Sequence, residues 1–105
     1  MLQDVTQKSF DPESLIVGLD EKEIKQLVLK IFEYRCASCG EPAGTVHEMI
    51  PRARGKKSLT FRNRIPLCHK QHDIEHQFGA SPERIRNLQI VREEYLIRIG
   101  KPEYV

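Results

Sequence analysis

The chain has 105 residues, the length of one small domain, and 39% of them are hydrophobic while 30% are charged, as in globular proteins. No apolar run approaches the length of a transmembrane helix, and the N-terminus lacks the basic and then apolar pattern of a signal peptide. We therefore expect a cytoplasmic protein without membrane contact. The net charge of +2 says little about its partners, and a core this small often needs a metal for stability.

The first predicted element is an irregular N-terminal arm over residues 1–19. Its Asp11-Pro12 pair interrupts regular structure, and a short strand is expected at residues 15–17. The remaining residues, 20–105, are predicted to form a single domain.

A packing helix is expected to begin at Asp20, because this acidic N-cap is followed three residues later by Glu23. Its apolar stripe consists of Ile24, Leu27, Val28, Ile31 and Phe32. The helix is predicted to end near residues 34–35.

A C-x-x-C turn, Cys36 to Cys39, follows that helix and is trailed by a glycine. In a reducing cytoplasm these cysteines and Cys68 are expected to be thiols or metal ligands rather than disulfides. Redox proteins share the motif, but they carry it in a βαβ context that this chain lacks. Zinc binding is therefore the favoured interpretation.

A hairpin is predicted next, with residues 45–50, among which Thr45, Val46 and Ile50 are β-branched, in its first strand and residues 65–67 in its second. The loop between them has six basic residues and no acidic one: Arg52, Arg54, Lys56, Lys57, Arg62 and Arg64. Such a loop would attract a DNA phosphate backbone, whereas a solvated surface is the usual meaning of a charge run. Its position beside several histidines favours phosphate contact.

Two more helices are predicted, one over about residues 69–78 with Gly79 as its stop and one that starts after Ser81. The second should pack on the core through Ile85, Leu88, Val91, Tyr95 and Ile99. Its arginines, which either widen a DNA footprint or form a solvated face, are Arg84, Arg86, Arg92 and Arg98.

Three imidazoles are expected to meet. His72 and His76 are four residues apart and share one face of the predicted helix, within reach of one metal ion. His47 lies in the first strand and would be brought across when the hairpin folds onto the helix. Asn63 precedes the second strand, where its amide could bond the backbone and hold the loop.

The stretches VHEMIPRARG, with His47, and NRIPLCHKQH, with Asn63 and His72, resemble the HNH signature of the ββα-metal (His-Me finger) nucleases. The likeness covers about residues 34–79, less than half of the chain, and includes the order and spacing of these residues. It implies a small α+β fold: a ββα-metal core with a zinc-knuckle-like C-x-x-C and two flanking packing helices.

The resemblance also implies chemistry, namely metal-dependent hydrolysis of DNA phosphodiester bonds by nicking or cutting, with little sequence specificity. One divalent ion (Mg²⁺, Mn²⁺, Ni²⁺ or Zn²⁺) would be bound by His47, His72 and His76. The catalytic residues would be His47, Glu48, Asn63 and His72. DNA would be the partner, and a homodimer or a larger phage or bacterial protein is a further alternative. Small proteins of this kind resemble phage, mobile-element and restriction nucleases alike, and the sequence does not choose among them.

The chain departs from the family's pattern at Glu48, where a histidine usually acts as general base. A carboxylate with a pKa of about 4.3 is a weaker base at neutral pH than an imidazole near 6.5. Three interpretations stay open: Glu48 is the base, Glu48 binds the metal while His47 takes the proton, or catalysis is lost.

A second departure concerns zinc, because the family often completes the knuckle with a second C-x-x-C, and this chain has Cys68-His69-Lys70-Gln71 there. Zinc held by Cys36, Cys39 and Cys68 would take its fourth ligand from His69, His72 or an outside group, or else the cysteines are buried thiols. The alternative function is a non-catalytic DNA-binding module with one zinc shared by the three cysteines and His72.

Overall fold

The computed structural model describes residues 10–105, which form an α+β fold with a two-stranded antiparallel sheet and three α-helices. The elements are α1 (Glu21–Ile31), β1 (Thr45–Glu48), β2 (Arg64–Leu67), α2 (His69–Phe78) and α3 (Pro82–Arg98). Single turns of 3-10 helix connect several of them. Within residues 10–105, no helix has the length and apolar composition needed to cross a membrane.

The N-terminal arm packs as a 3-10 turn over Pro12–Ile16, so the expected strand at residues 15–17 is wrong. Asp11 caps the turn by accepting a hydrogen bond from the Glu13 amide. The Glu13 carboxylate in turn accepts the amides of Phe61 and Arg62, at 2.7 and 3.1 Å. The arm is therefore tied to the loop before β2. The part of the predicted arm over residues 1–9 lies outside the described residues.

Helix α1 confirms the predicted start, because Asp20 and Glu23 cap each other's amides in a capping box. Its buried side includes Ile24 and Val28. The helix ends at Ile31, earlier than expected. The cause is a left-handed backbone at Glu33 and Tyr34, with φ of 61° and 56°, which turns the chain into the C-x-x-C segment.

The hairpin places His47 opposite Ile65 and Glu48 opposite Arg64. Because side chains alternate along a strand, His47 and Glu48 point to opposite faces of the sheet. Strand β1 stops at Glu48 rather than at residue 50.

The loop between the strands folds into 3-10 turns over Arg52–Arg54, Lys56–Leu59 and Phe61–Asn63. Ser58 and Phe61 are buried, so the loop is packed against the protein although most of its cations are exposed.

Helix α2 has the predicted bounds, and α3 has the predicted cap, with the Ser81 hydroxyl accepting the Arg84 amide. The core face of α3 includes Leu88 and Tyr95 as expected, and also Leu96. The Tyr95 ring stacks on Phe32, and its hydroxyl donates to the Phe32 carbonyl at 2.8 Å.

Arg92 is only 3% exposed, so its expected place in a DNA footprint or on a solvated face is wrong. Its guanidinium donates to the carbonyls of Arg64 and Tyr104 and lies over the ring of Phe61. Burial lowers the pKa of Arg92 to about 10, which leaves it charged at neutral pH. This arginine therefore joins α3 to β2 and to the C-terminal turn.

Candidate metal centre and nucleic-acid surface

Three histidines meet where β1 crosses α2. His47 comes from the strand, and His72 and His76 come from successive turns of one helical face. Their candidate ligand nitrogens all lie within 4.8 Å of one another. The predicted His47, His72 and His76 group is therefore brought together, and it could hold a metal ion.

The spacing of these imidazoles suits one ion. The Nε2 atoms of His72 and His76 are 3.1 Å apart. Two imidazoles on one ion should have nitrogens about 2.9 to 3.4 Å apart, given metal–nitrogen bonds of about 2.1 Å and octahedral to tetrahedral angles. The His47 ring lies edge-on to both others, with centroids at 5.3 and 5.8 Å.

The protonation of the cluster also favours metal binding. Burial lowers the pKa of His47, and the charges of His72 and His76 lower it further. Burial, followed by the charge of His76, lowers the pKa of His72. At neutral pH both rings are therefore neutral, which is the form that binds a metal.

A groove of about 370 Å³ lies beside the histidines and opens to solvent. Apolar Met49 and Leu88 line it together with Glu75 and Arg84. The Arg84 guanidinium donates two hydrogen bonds to the Glu75 carboxylate, at 2.8 and 3.1 Å. Because both carboxylate oxygens accept from Arg84, Glu75 is held as an ion-paired neighbour of the histidines.

Asn63 holds the ends of the basic loop together, as the sequence predicted. Its side-chain oxygen accepts the Ile50 amide at 2.7 Å, and its side-chain nitrogen donates to the carbonyls of Ile50 and Ser58. The side chain is 3% exposed. Asn63 therefore fixes the path of the chain that follows the histidine strand and does not itself join the histidine cluster.

The Glu48 side chain points to the opposite face of β1 from His47, yet Glu48 also lines the groove beside the histidines. Arg52 donates to both of its carboxylate oxygens at 2.9 to 3.1 Å, and Arg64 lies 3.6 Å away. Both arginines also bind Glu21 of α1. The carboxylate is thus neutralised by two guanidinium groups, and it is not among the candidate ligands of the histidine cluster.

The six basic loop residues fall into three groups. Arg64 is only 3% exposed, with a buried Nε that has no partner among the described residues, so its expected contact with DNA is wrong. Arg52 and Arg62 are exposed but paired with carboxylates, Arg62 with Asp11 and Glu13. Three exposed residues make no ion pair with any described residue, and we call them the free basic triad: Arg54, Lys56 and Lys57.

The three cysteines form a second candidate metal site, well matched to zinc. Cys36 is buried, Cys68 is the N-cap of α2, and Cys39 is exposed. Their sulfurs lie within 4.8 Å of one another, and those of Cys39 and Cys68 are 3.6 Å apart. A tetrahedral zinc with bonds of about 2.3 Å needs a sulfur separation of about 3.8 Å. A disulfide would need about 2.0 Å.

The thiols of this site have different acidities. The backbone N–H groups of Gln71 and Lys70, in the first turn of α2, lower the pKa of Cys68, and that of Gln71 has the larger effect. The pKa of Cys39 is raised to about 11. A backbone hydrogen bond from Glu41 opposes that rise, but burial and the neighbouring thiols outweigh it. Zinc would deprotonate a thiol that it binds.

His72 belongs to the histidine cluster and not to the cysteine group. His69 is 87% exposed and lies 3.8 Å from Asp73 on its own helix. The structure therefore does not bring either predicted fourth ligand to the cysteines.

Sequence reasoning missed the acidic partners around these sites. Glu21 binds Arg52 and Arg64, Glu13 binds the loop before β2, and Glu75 binds Arg84. In the sequence, the only sign of these pairs was that acidic residues outnumber basic ones in residues 1–34, whereas the later loop is basic. Except for the local Glu75 pair, the partners are 31 to 49 residues apart in sequence, so the individual pairs could not be predicted.

Comparison with known proteins gives one partial similarity. The chain is 31% identical over 83 residues to dynactin subunit 2 of Aedes aegypti, a stretch that is 78% of this chain and 19% of that protein. The chain thus spans about a fifth of that relative's length, which is too little to assign the chain to its family. No protein-family profile and no solved structure matches the chain.

Proposed function

We propose that this protein is a metal-dependent endonuclease of the HNH type, with a ββα-metal core formed by the hairpin and α2. The observation that carries the proposal is the meeting of His47, His72 and His76 within 4.8 Å at an open groove. Three imidazoles that converge with open space beside them suit a catalytic divalent ion, which needs free positions for substrate.

Different residues would bind the metal ion and the DNA backbone. His47, His72 and His76 hold Mg²⁺, Mn²⁺, Ni²⁺ or Zn²⁺, which when bound would stabilise the charge that develops on the phosphate oxygens. The free basic triad attracts the phosphate backbone without reading bases, which fits low sequence specificity. Asn63 keeps the loop that carries the triad close to the histidine strand.

Glu48 is the residue we propose for activating water. Its ion pair with Arg52 limits how readily its carboxylate can act as a base. The carboxylate accepts three hydrogen bonds from Arg52, so it needs an oxygen released before it can take a proton. Arg52 is exposed, and a DNA phosphate could compete with Glu48 for its guanidinium. Glu48→Gln should abolish cleavage and leave metal and DNA affinity intact. A Gln variant as active as the parent would remove Glu48 from the mechanism.

Plasmid nicking with each divalent ion tests the nuclease proposal. Supercoiled DNA should be cut only with added ion, and His72→Ala should lose the product. The matched control is His69→Ala, which removes an exposed imidazole from the same helix outside the cluster and should cut normally. No cleavage by the folded parent with any ion, or unchanged cleavage by His72→Ala, would refute the proposal.

A second candidate is a non-catalytic DNA-binding module with a zinc at the cysteines. The pairing of Glu48 with Arg52 and Arg64 favours it, because the position of the expected base is held in an ion-pair network. It predicts retained DNA binding with no product under any ion. The two candidates therefore separate in the same plasmid assay when binding is measured alongside.

A further inference from the structure

The cysteine site has three sulfur donors and no fourth ligand among the described residues 10–105. The 105 residues contain three cysteines, so these residues offer no fourth thiolate. Among residues 10–105, no histidine, aspartate or glutamate joins the group within 4.8 Å. Zinc in structural sites almost always has four ligands, whereas a zinc with three protein ligands keeps a position for an outside donor.

Gln71 stands at the sequence position where a second C-x-x-C beginning at Cys68 would have its last cysteine. It lies three residues after Cys68, in the first turn of α2. Its side chain is half-buried. Cys36, at the back of the cluster, is buried, while Cys39 is exposed, so the cluster is accessible from the Cys39 side.

We propose that zinc at Cys36, Cys39 and Cys68 keeps one exchangeable coordination position, which takes the thiolate of a small molecule. A thiolate is the expected fourth ligand, because a zinc ion already bound by three soft sulfur ligands favours another soft sulfur donor. The position also lies near the N-terminus of α2, where backbone amides favour negative charge. The incoming thiol gives its proton to the buffer when its sulfur binds, and no electrons are exchanged.

Cobalt substitution tests the proposal, because sulfur-to-cobalt charge-transfer absorption reports the cysteine site and is silent on the histidine cluster. The protein is loaded with Co²⁺, and 2-mercaptoethanol is titrated in. The parent should show saturable growth of the charge-transfer band by roughly one third, since four thiolates replace three. His69→Ala should behave as the parent does.

Gln71→Cys is the matched control, because it supplies the fourth thiolate from the chain. Its cobalt spectrum without added thiol should equal that of the thiol-saturated parent, and added thiol should not change it. Gln71→Ala should respond as the parent does, since the Gln71 side chain is not a ligand in this proposal. Circular dichroism confirms that each variant is folded.

Three results would overturn the inference. The parent's spectrum could be unchanged by thiol at millimolar concentration, the spectrum of His69→Ala or Gln71→Ala could differ from the parent's before thiol is added, or folded protein could show no charge-transfer band with Co²⁺. The inference does not rest on the proposed nuclease activity. Failure of plasmid cleavage leaves it intact, and its own failure leaves the histidine cluster untouched.

Discussion

Replacing Asn63 by alanine should destabilise the protein by about 2 to 4 kcal/mol. The change removes one bond accepted from the Ile50 amide and two bonds donated to the carbonyls of Ile50 and Ser58. The bond to Ser58 is buried, and a buried group left without a partner costs about 1 to 3 kcal/mol, while each partly buried bond contributes about 0.5 to 1.5 kcal/mol. Ile50 is half-buried, so water can reach its freed groups, which keeps the total in the lower half of this sum.

Urea denaturation followed by circular dichroism measures this free energy. Asn87→Ala, at an exposed position of α3, is the matched control and should stay within about 0.5 kcal/mol of the parent. Asn63→Asp keeps an acceptor for the Ile50 amide, but it loses both donated bonds and places a buried carboxylate against two carbonyl oxygens, so it should be at least as destabilising as alanine. An Asn63→Ala protein as stable as the Asn87→Ala control would refute the role of this side chain in holding the loop.

Three further predictions concern pH, capping and charge. Because burial lowers the pKa values of His47 and His72 in the fold, the unfolded chain binds more protons, so the metal-free protein should lose stability as pH falls below about 6.5; equal urea midpoints at pH 7.5 and 5.5 would contradict this. Asp20→Ala should cost about 1 kcal/mol in urea denaturation, because it removes the side-chain cap of α1, whereas a change within error would show that the cap is dispensable. Alanine substitution of the free basic triad should lower the slope of log DNA affinity against log salt by about 2 to 3, measured by fluorescence anisotropy, and an unchanged slope would place the DNA elsewhere.

Local patterns were sufficient to predict most elements of the fold. Helix α2 has the predicted bounds because Gly79 ends it with φ of 80°, a conformation that glycine adopts easily. The capping box of α1 and the proline in the first turn of α3 can likewise be recognised from about four consecutive residues. The meeting of His47 with α2 followed from a hairpin packed on a helix.

The features that were missed depend on partners far away in sequence. Arg64 and Arg92 look like ordinary surface cations in a basic chain, yet Arg64 is buried against Glu21 and Glu48, and Arg92 against backbone carbonyls and aromatic rings. Composition cannot tell a buried arginine from an exposed one, because burial depends on whether acceptors are available in three dimensions. The same reason hid the pairing of Glu48 with Arg64 on the neighbouring strand, whereas Arg52, four residues after Glu48, was close enough in sequence to be expected beside it.

The most direct measurement is the position of a bound metal in a crystal soaked with Ni²⁺, read from anomalous scattering. A peak about 2.1 Å from nitrogen atoms of His47, His72 and His76 is expected, and it should vanish in His72→Ala. If the parent crystal shows no peak among these three imidazoles, they do not form a metal centre, and the proposed nuclease site is contradicted.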